Sequence, residues 1–289
     1  MTPERRALTY GLVAVALWST VATGFKLGLE ILEPLQLLLL GTIVSTVVFV
    51  AVALAGGRLK LARSDLGKAA MFGMINPFIY YVVLFEAYDR LPAQIAQPLN
   101  YTWAITLAIL AWPILGQRPK ARTMLGILVS YLGVVVLLTQ GDVTAVPDVN
   151  WTGVGLALAS TLLWASYWLL NTRVSIDPLG LMAWSFLFGL PCVALACWMG
   201  PGWPAVTPAT ITYGLWVGLV EMGVTFLLWQ QALRLTTDTG RIGQLIFLSP
   251  FVSLWLIATF VGETIHATSV IGLVIIVAGL LTAQRPASA

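Results

Sequence analysis

Residues 34–55, PLQLLLLGTIVSTVVFVAVALA, run without a single charge into residues 56–68, GGRLKLARSDLGK. A helix rising about 1.5 Å per residue needs about 20 apolar residues to cross a hydrocarbon layer about 30 Å thick, and the first segment meets that requirement. The second carries Arg58, Lys60, Arg63 and Lys68 against Asp65 alone. Connectors kept on the cytoplasmic side of a membrane carry such an excess of Lys and Arg. Together the two segments are expected to form a membrane span and its cytoplasmic exit.

The same alternation continues in both directions. Apolar runs fall near 8–30, 34–55, 67–88, 92–113, 121–139, 151–172, 178–199, 209–233, 239–261 and 267–284. The expected fold is an all-α integral membrane protein with ten transmembrane helices, and the connectors are too short to hold a soluble domain. Composition agrees: 59% of residues are hydrophobic, 9% are charged and the mean hydropathy is +0.91, a balance no soluble domain carries. With the N-terminus placed in the cytoplasm, every second connector is basic. Of the 15 Lys and Arg, only Arg90 falls on the outer side and only Lys26 inside a span. Both termini are therefore expected in the cytoplasm. The net charge of +3 reports topology and does not call for nucleic acid as a partner. The first apolar run is too long for a cleaved signal peptide and is expected to stay as a helix. Cys192 and Cys197, five apart on one helix, face different ways, so neither a disulfide nor a metal site is expected.

Sliding the chain on itself by about 146 positions brings Leu17-Trp18-Ser19 onto Leu163-Trp164-Ala165 and Gly116-Gln117 onto Gly262-Glu263. Gly126 and Gly133 land on Gly272 and Gly279, and Glu33-Pro34 on Asp177-Pro178 after a short slip. Residues 1–145 and 146–289 are thus expected to be two copies of one five-helix unit. An odd number of spans per unit makes the second enter the membrane from the opposite side, as an inverted repeat. That architecture suits alternating access around a substrate held near the midplane.

This plan resembles the drug/metabolite transporter superfamily, EamA type, over essentially the whole chain. The residues that carry the likeness are Leu17-Trp18-Ser19-Thr20, Pro250 in the ninth span and Gly262-Glu263 at its end. Within that group, Asn100-Tyr101-Thr102-Trp103 and Trp164-Ala165-Ser166-Tyr167 are similar to YddG-type exporters of aromatic amino acids. Ala104, where that subgroup tends to have proline, and Gln117, opposite the acidic Glu263, depart from the pattern. The resemblance implies a secondary transporter of the bacterial cytoplasmic membrane that exports amino acids.

Polar groups inside spans are costly in lipid and should face the bundle interior. Asn76, Tyr80 and Gly73 recur at helical spacing beside Pro77, while Gln97, Pro98, Asn100, Tyr101 and Trp103 follow in the next span, and Pro250 interrupts the ninth. Broken helices at membrane depth line cavities, where freed backbone groups bind polar ends of a ligand. Trp18, Trp164 and Tyr167, with Tyr80, Tyr101 and Trp103, can wall such a cavity and stack planar side chains. Core packing is the rival explanation for each ring. Trp112, Trp151, Trp198 and Trp203 fall at span ends, where interfacial belts form. Glu86 has Arg90 four residues on, an ion-pair spacing. Glu221 sits deep in the eighth span on a face of small residues with Gly214 and Gly218, and it either pairs with Lys26 or titrates during transport.

These residues favour a transporter of neutral and aromatic amino acids. Its aromatic wall would take the side chain, and Asn76, Asn100 and Gln244 would hold the polar ends. Export of lipophilic cations is the alternative, through an aromatic cage with Glu221. A membrane-embedded enzyme would need clustered His, Asp, Glu or Cys, yet the only histidine, His266, is expected in an outer connector. No nucleotide-binding loop is present, and neither cofactor nor metal is expected. The expected partners are the lipid bilayer and a small-molecule substrate.

Overall fold

The computed structural model describes residues 1–116, 121–139, 149–171, 173–236, 242 and 245–284. Every regular element among them is helical. Leu, Val and Ala dominate the runs, and in lipid a helix satisfies its own backbone groups where an open strand cannot. The α-helices are α1 Pro3–Ser19, α2 Val21–Leu29, α3 Pro34–Ala55, α4 Leu66–Gly73, α5 Tyr80–Arg90, α6 Ala93–Tyr101, α7 Trp103–Leu115, α8 Ala121–Thr139, α9 Trp151–Asn171, α10 Pro178–Met199, α11 Pro208–Trp216, α12 Val224–Leu235, α13 Ser249–Leu256 and α14 Ala267–Gln284.

Several of these join end to end, giving eight helical segments long and apolar enough to cross a membrane, from Pro3–Leu29 to Pro208–Leu233. Leu245–Val261 and Ala267–Thr282 are shorter apolar helices. Part of the region where the ninth span is expected to begin, 239–241 and 243–244, lies outside the described residues, Gln244 with it.

Helix starts follow local chemistry. Glu33 and Gln36 form a reciprocal capping box with Pro34 in the first turn of α3, and Asp177 Oδ1 accepts from the amides of Leu179 and Gly180 ahead of α10. The repeat-matched pairs Glu33-Pro34 and Asp177-Pro178 both begin helices. Gly116 and Gly262, also repeat-matched, both end helices in the left-handed region, at φ 74° and 77°.

Packing pairs α1 with α12 and with α13, α5 with α9, α7 with α9, α3 with both α10 and α11, α4 with α10, and α8 with α14. The last pair approaches backbone to backbone. A Cβ at Gly133 would lie 2.7 Å from the Gly272 carbonyl oxygen, and one at Gly272 would lie 2.7 Å from that of Gly133. Small residues allow this approach, which lipid-exposed helices use because they gain little from burying apolar surface. The expected small face of the eighth span packs likewise: Gly214 meets Leu40, and Gly218 meets Gly41 and Val44 of α3.

The helices that meet in the middle of the bundle are interrupted. Thr20 separates α1 from α2, with its hydroxyl donating to the Leu17 carbonyl at 2.7 Å. A kink within Met74–Ile79 separates α4 from α5, with Asn76 in extended backbone at φ −138°, ψ 116°, beside Pro77. Thr102 separates α6, which carries Pro98, from α7. A π-helical turn, Val217–Glu221, leads to Gly223 at φ −115°, ψ −95°. A 3-10 turn over Leu245–Leu248 precedes α13, so Pro250 stands in the first turn of an α-helix, where its missing N–H costs little.

Candidate functional site

The interrupted helices enclose a cavity of about 740 Å³ that extends from Phe25 and Tyr88 to Leu115 and Leu233. Its wall is aromatic and interlocked. Trp164 stacks on Tyr80, with centroids 4.6 Å apart and planes at 24°, and on Tyr167 behind it at 5.8 Å and 15°. Phe226 meets Trp164 edge to face at 5.8 Å and Trp18 at the same distance, so one ring bridges the repeat-related tryptophans. Trp18 also meets Trp229 at 5.3 Å. Rings held by several neighbours present a fixed apolar surface, which suits a planar or branched side chain.

Few polar groups interrupt that surface. Asn100 Nδ2 donates to Ser160 Oγ at 3.0 Å, which ties α6 to α9, and the Tyr101 hydroxyl donates to Ser249 Oγ at 2.8 Å, which ties α6 to α13. Gln97 is buried and lines the cavity, and its Oε1 has no hydrogen-bond partner. Glu221 is the sole carboxylate among the lining residues described, which include no Lys or Arg. Its Oε1 accepts from the Tyr81 hydroxyl at 3.1 Å, and the Trp18 indole lies beside it.

Of the residues singled out in the sequence, Trp18, Tyr80, Asn100, Tyr101, Trp103, Trp164 and Glu221 line the cavity. Tyr167 stands one layer back, between Trp164 and Phe72. Asn76 is also absent from the lining and is buried with Oδ1 unpaired. The physical reason is a kink: the extended backbone at Asn76 separates α4 from the helix that carries Tyr80, so Asn76 and Tyr80 do not share the side that unbroken helical spacing assigns them. Gly73 accordingly packs on Ser185 and Gly189 of α10, while Tyr80, Leu84 and Tyr88 face the cavity.

Pairing with Lys26, one of the two roles the sequence left open for Glu221, is not made in this structure. Lys26 Nζ instead donates to the carbonyl oxygens of Tyr88 at 2.9 Å and Leu91 at 3.0 Å. Carbonyls in the last turn of a helix lack intrahelical donors and sit at the negative end of its dipole, so the end of α5 outcompetes a carboxylate deeper in the bundle. Glu86 and Arg90 do pair, at 2.7 Å. Cys192 and Cys197 are both free.

Lys26 belongs to a polar network at the end of the bundle where α2 terminates. Glu263 accepts from the amides of Ala93 at 2.7 Å and Gln94 at 3.2 Å, the first turn of α6, where a carboxylate meets unpaired N–H groups and the positive dipole end. Gln94 in turn donates to the Thr264 carbonyl at 2.9 Å and accepts from His266 N at 3.1 Å and Ser269 Oγ at 2.8 Å.

Gln97 also lines the cavity, and so do Tyr88, Trp168, Phe226 and Trp229, which the sequence did not mark as its wall. Gln97 had a signal, as a polar residue deep in an apolar run. Phe226 had none, since phenylalanine is ordinary in any core.

A solved crystal structure superposes on the chain with a TM-score of 0.69 at 22% identity, over 96% of each chain, which establishes the fold alone. An uncharacterized transporter of Clostridium kluyveri is 24% identical over 86% of this chain and 82% of its own. A probable amino-acid metabolite efflux pump of Salmonella typhimurium is 26% identical over 93% of this chain and 91% of its own. One family model, that of the EamA-like transporter family, matches twice, at residues 5–139 and 151–283. Apolar helices broken around a central cavity, together with those two matches across nearly the whole sequence, make the chain a member of the EamA-like transporter family.

Proposed function

We propose that the protein exports neutral and aromatic amino acids, and small metabolites like them, across the bacterial cytoplasmic membrane by alternating access. The observation that carries this is the interlocked aromatic wall around Trp164, continued by aliphatic side chains and, among the described lining residues, by two amides and one carboxyl group. The name borne by the Salmonella typhimurium relative supports the substrate class.

Ten spans arranged as an inverted repeat supply the machinery. In support, the helix pairings exchange consistently when the halves are swapped: α1 with α12 becomes α9 with α5, α7 with α9 becomes α13 with α1, and α4 with α10 becomes α11 with α3. The breaks at Asn76 and Thr102 lie at the offset of those at Met222-Gly223 and Leu248. With both termini in the cytoplasm, the network of Lys26, Gln94 and Glu263 closes the outer end, and the cavity faces inward, ready to load.

Counterflow of labelled phenylalanine in proteoliposomes tests this. Exchange should occur, should be blocked by excess tryptophan or methionine but not by glucose, and should weaken in Trp164→Ala. Absence of exchange would sink the amino-acid assignment. A second substrate class, lipophilic organic cations, is favoured by the carboxylate of Glu221 among aromatic rings and would show as cation exchange in the same vesicles.

A further inference from the structure

We infer that Glu221 forms an ammonium subsite, so that a charged amine is the feature every substrate of the cavity must carry. The inference rests on the transport reading above and adds what selects within it.

Glu221 emerges from the π-helical turn Val217–Glu221, immediately before the break at Met222-Gly223, which turns its side chain into the cavity. The Tyr81 hydroxyl donates to its Oε1 at 3.1 Å and the Trp18 indole is a second hydrogen-bonding neighbour, both of them neutral groups. A carboxylate has acceptor capacity for more than one donor, and a buried one that lacks a cation is costly. Lys26 is committed to the carbonyls of Tyr88 and Leu91, and Arg90 to Glu86. No Lys or Arg lines the cavity among the described residues, so a ligand is the natural source of the missing positive charge.

The surroundings match an ammonium group. Trp18 borders Glu221, and Tyr80, Trp164 and Phe226 form the adjoining wall, whose ring faces attract a cation. Gln97, also on the wall, has an unpaired amide oxygen. An ammonium has three donors and no acceptor, which suits a carboxylate beside an amide oxygen, whereas a substrate carboxylate would need donors. Charge-assisted hydrogen bonds are about twice as strong as neutral ones, so the amine end should dominate selection.

Two substrate sources share this chemistry, zwitterionic amino acids and simple aromatic amines. The test measures inhibition of labelled exchange in proteoliposomes, with phenylalanine and phenethylamine as labelled substrates. Phenylalanine, phenethylamine, 3-phenylpropanoate and N-acetylphenylalanine serve as competitors, with wild type beside Glu221→Gln. Expected is competition by the two free amines alone, and about tenfold weaker competition in Glu221→Gln, whose amide keeps an acceptor for Tyr81 but not the charge. Exchange of phenethylamine without phenylalanine would support the subsite while overturning the amino-acid assignment. Equal competition by 3-phenylpropanoate or N-acetylphenylalanine would overturn the subsite and leave the transporter standing. Exchange of neither labelled substrate would overturn both. Should Glu221→Gln fail to fold, the wild-type competitor series decides by itself.

Discussion

Ser130 donates its hydroxyl to the carbonyl of Ile276 at 3.0 Å, and the two residues stand at the same offset that brings Trp18 onto Trp164. In the proposed duplication the two are neighbours of an axis that relates the copies. The glycines around it obey the same exchange: Gly133 meets Gly272, and Gly279 meets Gly126. Crossing α8 and α14 backbone to backbone leaves no room for a side chain. Gly133→Val is therefore expected to destabilise the protein by about 1–3 kcal/mol through overpacking. Gly155→Ala, at a helix position with nothing within 4 Å, should be neutral or slightly stabilising. Thermal unfolding in detergent compares them, and equal midpoints for the two variants would refute the close crossing.

Lys26 and Glu263 hold one end of the bundle by binding backbone groups at the ends of α5 and α6. Hydrogen bonds to charged groups contribute about 1.5–3 kcal/mol each, so losing one should shift an open-closed equilibrium by about tenfold or more. In a Leu84→Cys background lacking the native cysteines, an impermeant maleimide added from that side should react faster once Lys26→Met or Glu263→Gln is introduced. Unchanged rates in both would mean that the network does not restrain opening.

Because Lys26 and Glu221 engage different partners, exchanging them should not rescue transport. Lys26→Glu and Glu221→Lys are each expected to lose flux, and the double variant should lose at least as much, with a coupling energy near zero. Recovery in the double variant would show that the two meet in another state of the transport cycle.

The membrane helices were legible because apolar run length is a direct physical requirement of the bilayer, and Trp18 and Trp164 because the repeat marks them together. What stayed hidden depends on geometry that spacing does not encode. The kink at Asn76 breaks the phase between α4 and α5, so Asn76, assigned to the cavity by plain periodicity, falls outside its lining. Lys26 invited an acidic partner, yet backbone carbonyls at a helix end satisfy an ammonium equally well and leave no trace in composition. Trp255 shows the converse. It stands inside the ninth apolar run, as Trp164 does inside the sixth, but it is 64% exposed on the outer surface of the bundle.

That contrast yields a test of the wall itself. Trp164 is 9% exposed and makes ring contacts with Tyr80, Tyr167, Trp168 and Phe226, so truncating it removes both a ligand surface and the neighbour that orients the other rings. Core Trp→Ala changes cost about 3–5 kcal/mol, and Trp164→Ala should lower the unfolding temperature as well as weaken flux. Trp164→Phe keeps a ring on Tyr80 and should retain part of the flux with a smaller loss of stability. Trp255→Ala, facing outward, should leave substrate exchange unchanged. If Trp164→Phe lost all flux while remaining as stable as wild type, the indole itself, rather than an aromatic surface in general, would be the group that substrates recognise.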